Sequence, residues 1–146
     1  MGGQPRRHRS GARDDCAWAL PGLVAGRNGR RIAFDFFDGD SKHLAIVLAQ
    51  GGHVRQLTFG RPGIQEVPRW APNGRWITFD ASALSPDDFR FHTSIWVMRA
   101  DGSDARQLTN DGFDVEPVFS PDGSQIAFGR ITGVTPKATN WKLSML

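Results

Sequence analysis

One phrase recurs along this 146-residue chain, and its spacing limits what the chain can fold into. The clearest copy runs Pro68-Arg-Trp-Ala-Pro-Asn-Gly-Arg-Trp-Ile-Thr-Phe79, then a loop, then Ile95-Trp-Val-Met-Arg-Ala-Asp-Gly-Ser-Asp-Ala-Arg-Gln-Leu-Thr109. A later copy opens with Pro117-Val-Phe-Ser-Pro-Asp-Gly-Ser-Gln-Ile-Ala-Phe128, and a worn earlier one has Asn28-Gly-Arg-Arg-Ile-Ala-Phe34 and Arg55-Gln-Leu-Thr58. The turn pairs Asn28-Gly29, Asn73-Gly74 and Asp122-Gly123 step by 45 and 49 residues, and the two Gln-Leu-Thr strings lie 51 apart. Short strands repeating at that period indicate an array of blades around an axis.

Each unit reads as four strands. An Asn-Gly or Asp-Gly pair between apolar runs predicts a tight hairpin, because both residue types tolerate positive φ. The third strand, Ile95–Met98, is nearly continuously apolar, so cover on both faces is expected. A second turn at Asp101-Gly102 leads to a fourth strand, Arg106–Thr109; the first copy has Leu44–Leu48, Gly51-Gly52 and Val54–Thr58 in the same order. No window has a 3.6-residue apolar period, so the expected class is all-β: a partial β-propeller of about two and a half four-stranded blades. Trp70 with Phe119, and Phe79 with Phe128, recur at matching places and are expected in the core, with Trp96, Leu57 and Leu108 between blades.

The strings Trp-Ala-Pro-Asn-Gly, Phe-Ser-Pro-Asp-Gly, Ile-Trp-Val-Met-Arg-Ala-Asp-Gly and Arg-Gln-Leu-Thr resemble the WD40-like (PD40) repeats of TolB-type β-propellers over residues 27–146. The first unit departs from that pattern, with Arg27 where the others have proline. The resemblance implies a non-catalytic scaffold for protein–protein interaction, with a periplasmic or exported location. The alternative is the propeller part of a prolyl-oligopeptidase-like serine hydrolase, where such a domain gates substrate entry. A closed ring of this repeat would need roughly 270–300 residues. A fragment of a longer reading frame is therefore expected, or else self-assembly to cover open edge strands.

Residues 1–26 differ in composition. Met1 to Arg31 carries seven arginines against Asp14 and Asp15, whereas residues 32–146 carry eleven bases and thirteen acids. The basic balance therefore belongs to a tail expected to be disordered or mis-started, with blades from 27 to 146. No aromatic is interleaved with the Arg6-Arg7-His8-Arg9 cluster, so nucleic-acid binding is not expected. Residues 16–26 are interrupted by Pro21 and Gly22 and make a poor signal core, and no stretch is long enough to span a membrane.

Catalytic and metal chemistry find little support. There is no Gly-x-Ser-x-Gly elbow. His8, His43, His53 and His92 lie apart without ligand spacing, so neither a metal nor a cofactor is expected. Asp35, Asp38 and Asp40 bunch around Gly39 without an EF-hand's loop and closing glutamate, and read as a polar turn. Glu66 and Glu116 precede equivalent strands, offset by one position, and are candidates for a channel-side position. The connection between second and third strands is six residues longer in the second unit than in the first. Its Phe89, Arg90, Phe91 and His92 combine aromatic anchors with a cation, and form the candidate loop for a protein partner.

Overall fold

The computed structural model describes residues 23–26, 28–60, 63–87, 90–110, 112–135 and 138–146. Most of the basic tail, residues 1–22, lies outside the described residues, as does Phe89. The strands are β1 (Val24–Ala25), β2 (Arg31–Asp38), β3 (Ser41–Leu48), β4 (Arg55–Gln56), β5 (Ile64–Trp70), β6 (Trp76–Leu84), β7 (Phe91–Arg99), β8 (Arg106–Gln107), β9 (Phe113–Phe119), β10 (Ile126–Thr135) and β11 (Ala138–Met145). No helix occurs among the described residues. Strands β1–β4 form one antiparallel blade, β5–β8 a second, and β9–β11 three strands of a third. The architecture is the partial propeller the repeats predict. Strand pairing starts before residue 27, because Val24 and Ala25 pair with Ala33 and Ile32.

The hairpins close differently from the expectation. Only the glycine of each pair takes a positive φ: 64° at Gly29, 68° at Gly74, 85° at Gly102 and 75° at Gly123. The preceding Asn or Asp instead accepts the backbone N–H two residues on, at 3.1 Å for Asn28, 2.9 Å for Asn73, 2.9 Å for Asp101 and 3.0 Å for Asp122. The dipeptide is thus one side-chain acceptor followed by one left-handed glycine.

The Gln-Leu-Thr string has an equally specific use. In both full blades the glutamine Nε2 donates to the threonine carbonyl two residues on, at 2.7 Å. The leucine N–H bonds back to the third strand, Leu57 to Leu44 O at 2.7 Å and Leu108 to Ile95 O at 2.8 Å. The threonine Oγ1 then accepts the N–H of that same residue, Leu44 or Ile95, at 3.0 Å. A two-residue strand is too short to satisfy this buried donor, and the threonine hydroxyl does so in its place.

Neighbouring blades meet along two apolar seams. The first joins Ala33, Leu44, Ile46 and Leu57 to Ile77, Phe79 and Met98, with Trp96 stacked on Phe79 at 6.3 Å. The second joins Ile95 and Leu108 to Ile126, Phe128 and Phe119. Phe79 and Phe128 are buried as expected, each burial contributing roughly 1.5–3 kcal/mol. Trp70 and Phe119 are only half-buried. Trp70 sits at the rim, its Nε1 donating to Val24 O at 3.1 Å and its ring covered by the Arg31 guanidinium at 5.1 Å.

Blades also connect through the backbone. The chain enters each new blade through a glycine whose carbonyl accepts an N–H from the previous blade: Lys42 to Gly63 at 3.2 Å, Thr93 to Gly112 at 3.1 Å. A register shift then follows in β5 and in β9. Val67 and Glu116, each before a buried proline, adopt φ of 53° and 55° there. Proline cannot donate to the ladder, and a bulge places it where no donor is needed.

Candidate interaction site at the loop-bearing end

The β2–β3 and β6–β7 connections and both blade crossings lie at one end of the blades, because each leaves or enters its strands beside the parallel contacts Lys42–Ile64 and Thr93–Phe113. At the β6–β7 connection Ser85 N–H bonds Arg90 O at 2.8 Å, so the loop closes on itself. The cross-strand pair Leu84 and Phe91 stands outside that closure, with Phe91 54% exposed. Arg90 is exposed and His92 half-buried. Beside them opens a cleft of about 450 Å³ lined by Leu84, Pro86, His92, Ser94, Trp96 and Gln107. Of the loop candidates His92 lines this cleft, Phe91 stands across the strand pair from its Leu84, and Arg90 is not part of its lining.

Deeper at the same end lie charges that the blades bury. Lys42 Nζ is 2.7 Å from both Asp35 Oδ2 and Glu66 Oε2. Burial pulls the Lys42 pKa down, but the two carboxylates outweigh it and hold the ammonium above its ordinary value. Asp35 is therefore no turn residue: only Asp38 and Asp40 flank the β2–β3 turn, while Asp35 is a buried strand position paired across to β3. Glu66 is partly exposed and spans the first seam.

Asp80 links the second blade to the third. Its Oδ2 accepts the N–H of Glu116 at 2.9 Å, tying β6 to the bulge of β9. Only 2% of Asp80 is exposed, and its Oδ1 has no hydrogen-bond partner among the described residues. Burial foremost, with the nearby Glu66 and Glu116 charges, pushes its pKa up to about 7, against the opposing Glu116 N–H and Lys42. Glu66 and Glu116 thus act on one carboxyl, although Glu66 pairs opposite Asp80 and Glu116 sits within a bulge. In the third blade Asp114 is held by Arg130 through two bonds of 2.7 and 2.8 Å; burial alone would raise its pKa, but the guanidinium keeps it below the usual range.

Asp80, Lys42 and Gly63 escaped the sequence reading, although a signal existed for two of them. Phe34-Asp35 recurs as Phe79-Asp80 after 45 residues, and Gly63 recurs as Gly112 after 49. Among the described residues no group of three His, Cys, Asp or Glu is placed to hold a metal ion, and no helix is long and apolar enough to cross a membrane.

No protein-family model matches the chain. It is 30% identical over 102 residues to a protein named TolB homolog from Chlorobium luteolum, a match covering 69% of this chain and 21% of that protein. The chain thus spans about a fifth of the length of this relative. A TolB-type structure from Agrobacterium tumefaciens superposes with a TM-score of 0.66 at 21% identity, over 84% of this chain and 43% of the other. A structure from work on two prolyl endopeptidases superposes with a TM-score of 0.60 at 16% identity, over 86% of this chain and 21% of the other. The repeats, the blade pairing and these likenesses agree: the chain is a partial β-propeller, similar in sequence to a protein named TolB homolog and in fold to TolB-type structures.

Proposed function

We propose that the chain is a non-catalytic β-propeller scaffold that holds a protein partner at its loop-bearing end. The observation carrying this reading is the exposed Leu84–Phe91 pair, next in sequence to the exposed Arg90, with Leu84 and His92 lining a cleft. An exposed aromatic beside a cation, on a two-stranded support, is the composition of an interface anchor. Photocrosslinking in the source cells tests the reading, with a photoreactive residue at position 91 and, as control, at position 75 on the opposite end. One protein adduct at 91, absent at 75 and reduced by Arg90→Ala with an unchanged melting temperature, is the expected result. Equal adducts at both positions, or loss of adduct only together with loss of fold, would refute it.

A second reading, the propeller part of a prolyl-oligopeptidase-like serine hydrolase, is favoured by the fold likeness to the prolyl endopeptidase structure. A Gly-x-Ser-x-Gly segment encoded downstream in the same reading frame, with peptidase activity lost on Ser→Ala there, would select it.

A further inference from the structure

Between the first and second blades, at the turn-bearing end, opens a cavity that offers hydrogen-bond donors and no carboxylate. It measures about 270 Å³ and is lined by Gly26, Asn28, Arg31, Trp70, Asn73 and Gly74. Both blades that enclose it have all four strands. Gly26 is buried and Trp70 half-buried, whereas the two asparagines are exposed, so the first pair forms the floor and the second the rim.

The chemistry of the lining follows from the turns. Asn28 Oδ1 and Asn73 Oδ1 are committed to the backbone N–H groups of Arg30 and Arg75, at 3.1 and 2.9 Å. That fixes both amide orientations and leaves each Nδ2, a donor only, without a partner among the described residues. Arg31 is held across the junction, its guanidinium 5.1 Å from the Trp70 ring centroid and its Nη2 donating to Gly74 O at 3.4 Å. Arg30 and Arg75 directly follow the two turn glycines. Among the described residues none of these three arginines is paired with a carboxylate.

The next junction does not repeat the arrangement. The third blade's turn has Asp122 and Ser124 in the places of Asn73 and Arg75. The Asp122 carboxylate is filled by its own turn, accepting Ser120 Oγ at 2.6 Å, Ser124 N at 3.0 Å and Ser124 Oγ at 2.9 Å. Pro72 stands 3.4 Å from where a methyl on Gly123 would lie, whereas among the described residues nothing lies within 4 Å of such a methyl on Gly74. The first blade has Arg27 in the place of that proline. Two Asn-Gly-Arg turns thus make the first junction an open, positively charged donor site.

We infer that this cavity binds a small phosphate monoester. Three donor groups, Arg31 and the two asparagine Nδ2, match the three terminal oxygens of a phosphate, whereas a carboxylate presents two. The charges of Arg30, Arg31 and Arg75 oppose the roughly −1.5 to −2 that such a group carries at pH 7. The organic part of the ligand occupies the floor, against Gly26 and Trp70. This site is at the end opposite the β6–β7 cleft, and either assignment can fail without the other.

The test is nitrogen–proton correlation NMR of the full 146-residue chain, titrated with glycerol 3-phosphate to about 10 mM. Saturable shifts are expected at the side-chain amides of Asn28 and Asn73 and at Arg31 Nε–H, with none on adding glycerol. Asn73→Asp keeps the turn, because Asp122 fills the same backbone role, but puts a negative charge in place of a donor. It should weaken binding at least about tenfold at an unchanged melting temperature, and Asn28→Asp should do the same from the first blade. Absence of saturation, or equal affinity for the parent and both Asp variants, would overturn the assignment. Inorganic phosphate binding as tightly as the monoester would overturn the role given to the organic part. Tighter binding of succinate than of either would overturn the choice of phosphate over carboxylate.

Discussion

Asp80→Asn isolates the cost of holding a carboxyl between the second and third blades. Asp80 titrates near 7 in the folded chain against 3.8 for an ordinary aspartate. Because the folded pKa is raised, the native state binds the extra proton between those values, and its stability falls as pH rises through 7. At 1.36 kcal/mol per unit the penalty is absent below pH 3.8, about 1.6 kcal/mol at pH 5, and about 4 kcal/mol at pH 8. The asparagine amide oxygen can still accept the Glu116 N–H, whereas the charge is gone. Any pH-independent effect of the new amide group cancels when the two pH values are compared. Urea unfolding of both proteins at pH 5 and pH 8 should therefore show the Asn variant gaining about 2–3 kcal/mol relative to the parent between the two conditions. A stability difference that is the same at both pH values would refute the argument, since it would mean that Asp80 is solvated or paired well enough to ionise normally.

Three substitutions probe the packing. A methyl group at Gly63 would meet the carbonyl oxygen of Ser82 at a φ of 115°, whereas one at Gly74 meets nothing within 4 Å. Thermal unfolding of Gly63→Ala should show a loss of several times the roughly 1–2 kcal/mol that left-handed strain alone costs Gly74→Ala; equal losses would mean that the blade crossing is looser than described. Trp70→Ala would cost about 3–5 kcal/mol at a fully buried site, but its rim position lowers the expectation to about 2 kcal/mol. Amide exchange should report the loss first at Ala33, whose N–H faces the Val24–Ala25 strand that Trp70 anchors.

What was legible in the sequence is what each blade stores within itself. Asn73-Gly74 and Gln107-Leu108-Thr109 act on residues 2 to 14 positions away, so a repeat in sequence is a repeat in structure. Even there the mechanism differed, with a side-chain acceptor where a second positive φ was expected. What was not legible lies in the seams. Lys42 meets Glu66 across 24 residues and Asp80 meets Glu116 across 36, and alternation in a strand cannot tell a buried charge facing the next blade from a solvated one. Trp70 shows the same limit from the apolar side, since a recurring aromatic marks a blade position without fixing its depth.

The matched seams bear on how such a chain changes over generations. Each blade presents Leu or Ile on its trailing face and Ile-x-Phe on its leading face, and the Asx turn and Gln–Thr clamp travel with the unit that encodes them. A tandem duplication of one unit of DNA would therefore carry both halves of a working junction, and a unit spliced after any other would find a compatible neighbour. The buried charges are the exception. The Asp35–Lys42–Glu66 group belongs to one junction, and the other has Asp80 and the Glu116 backbone instead. Blades are interchangeable in their hydrocarbon and individual in their ions, so reordering them would strand carboxylates without partners well before it spoiled the core.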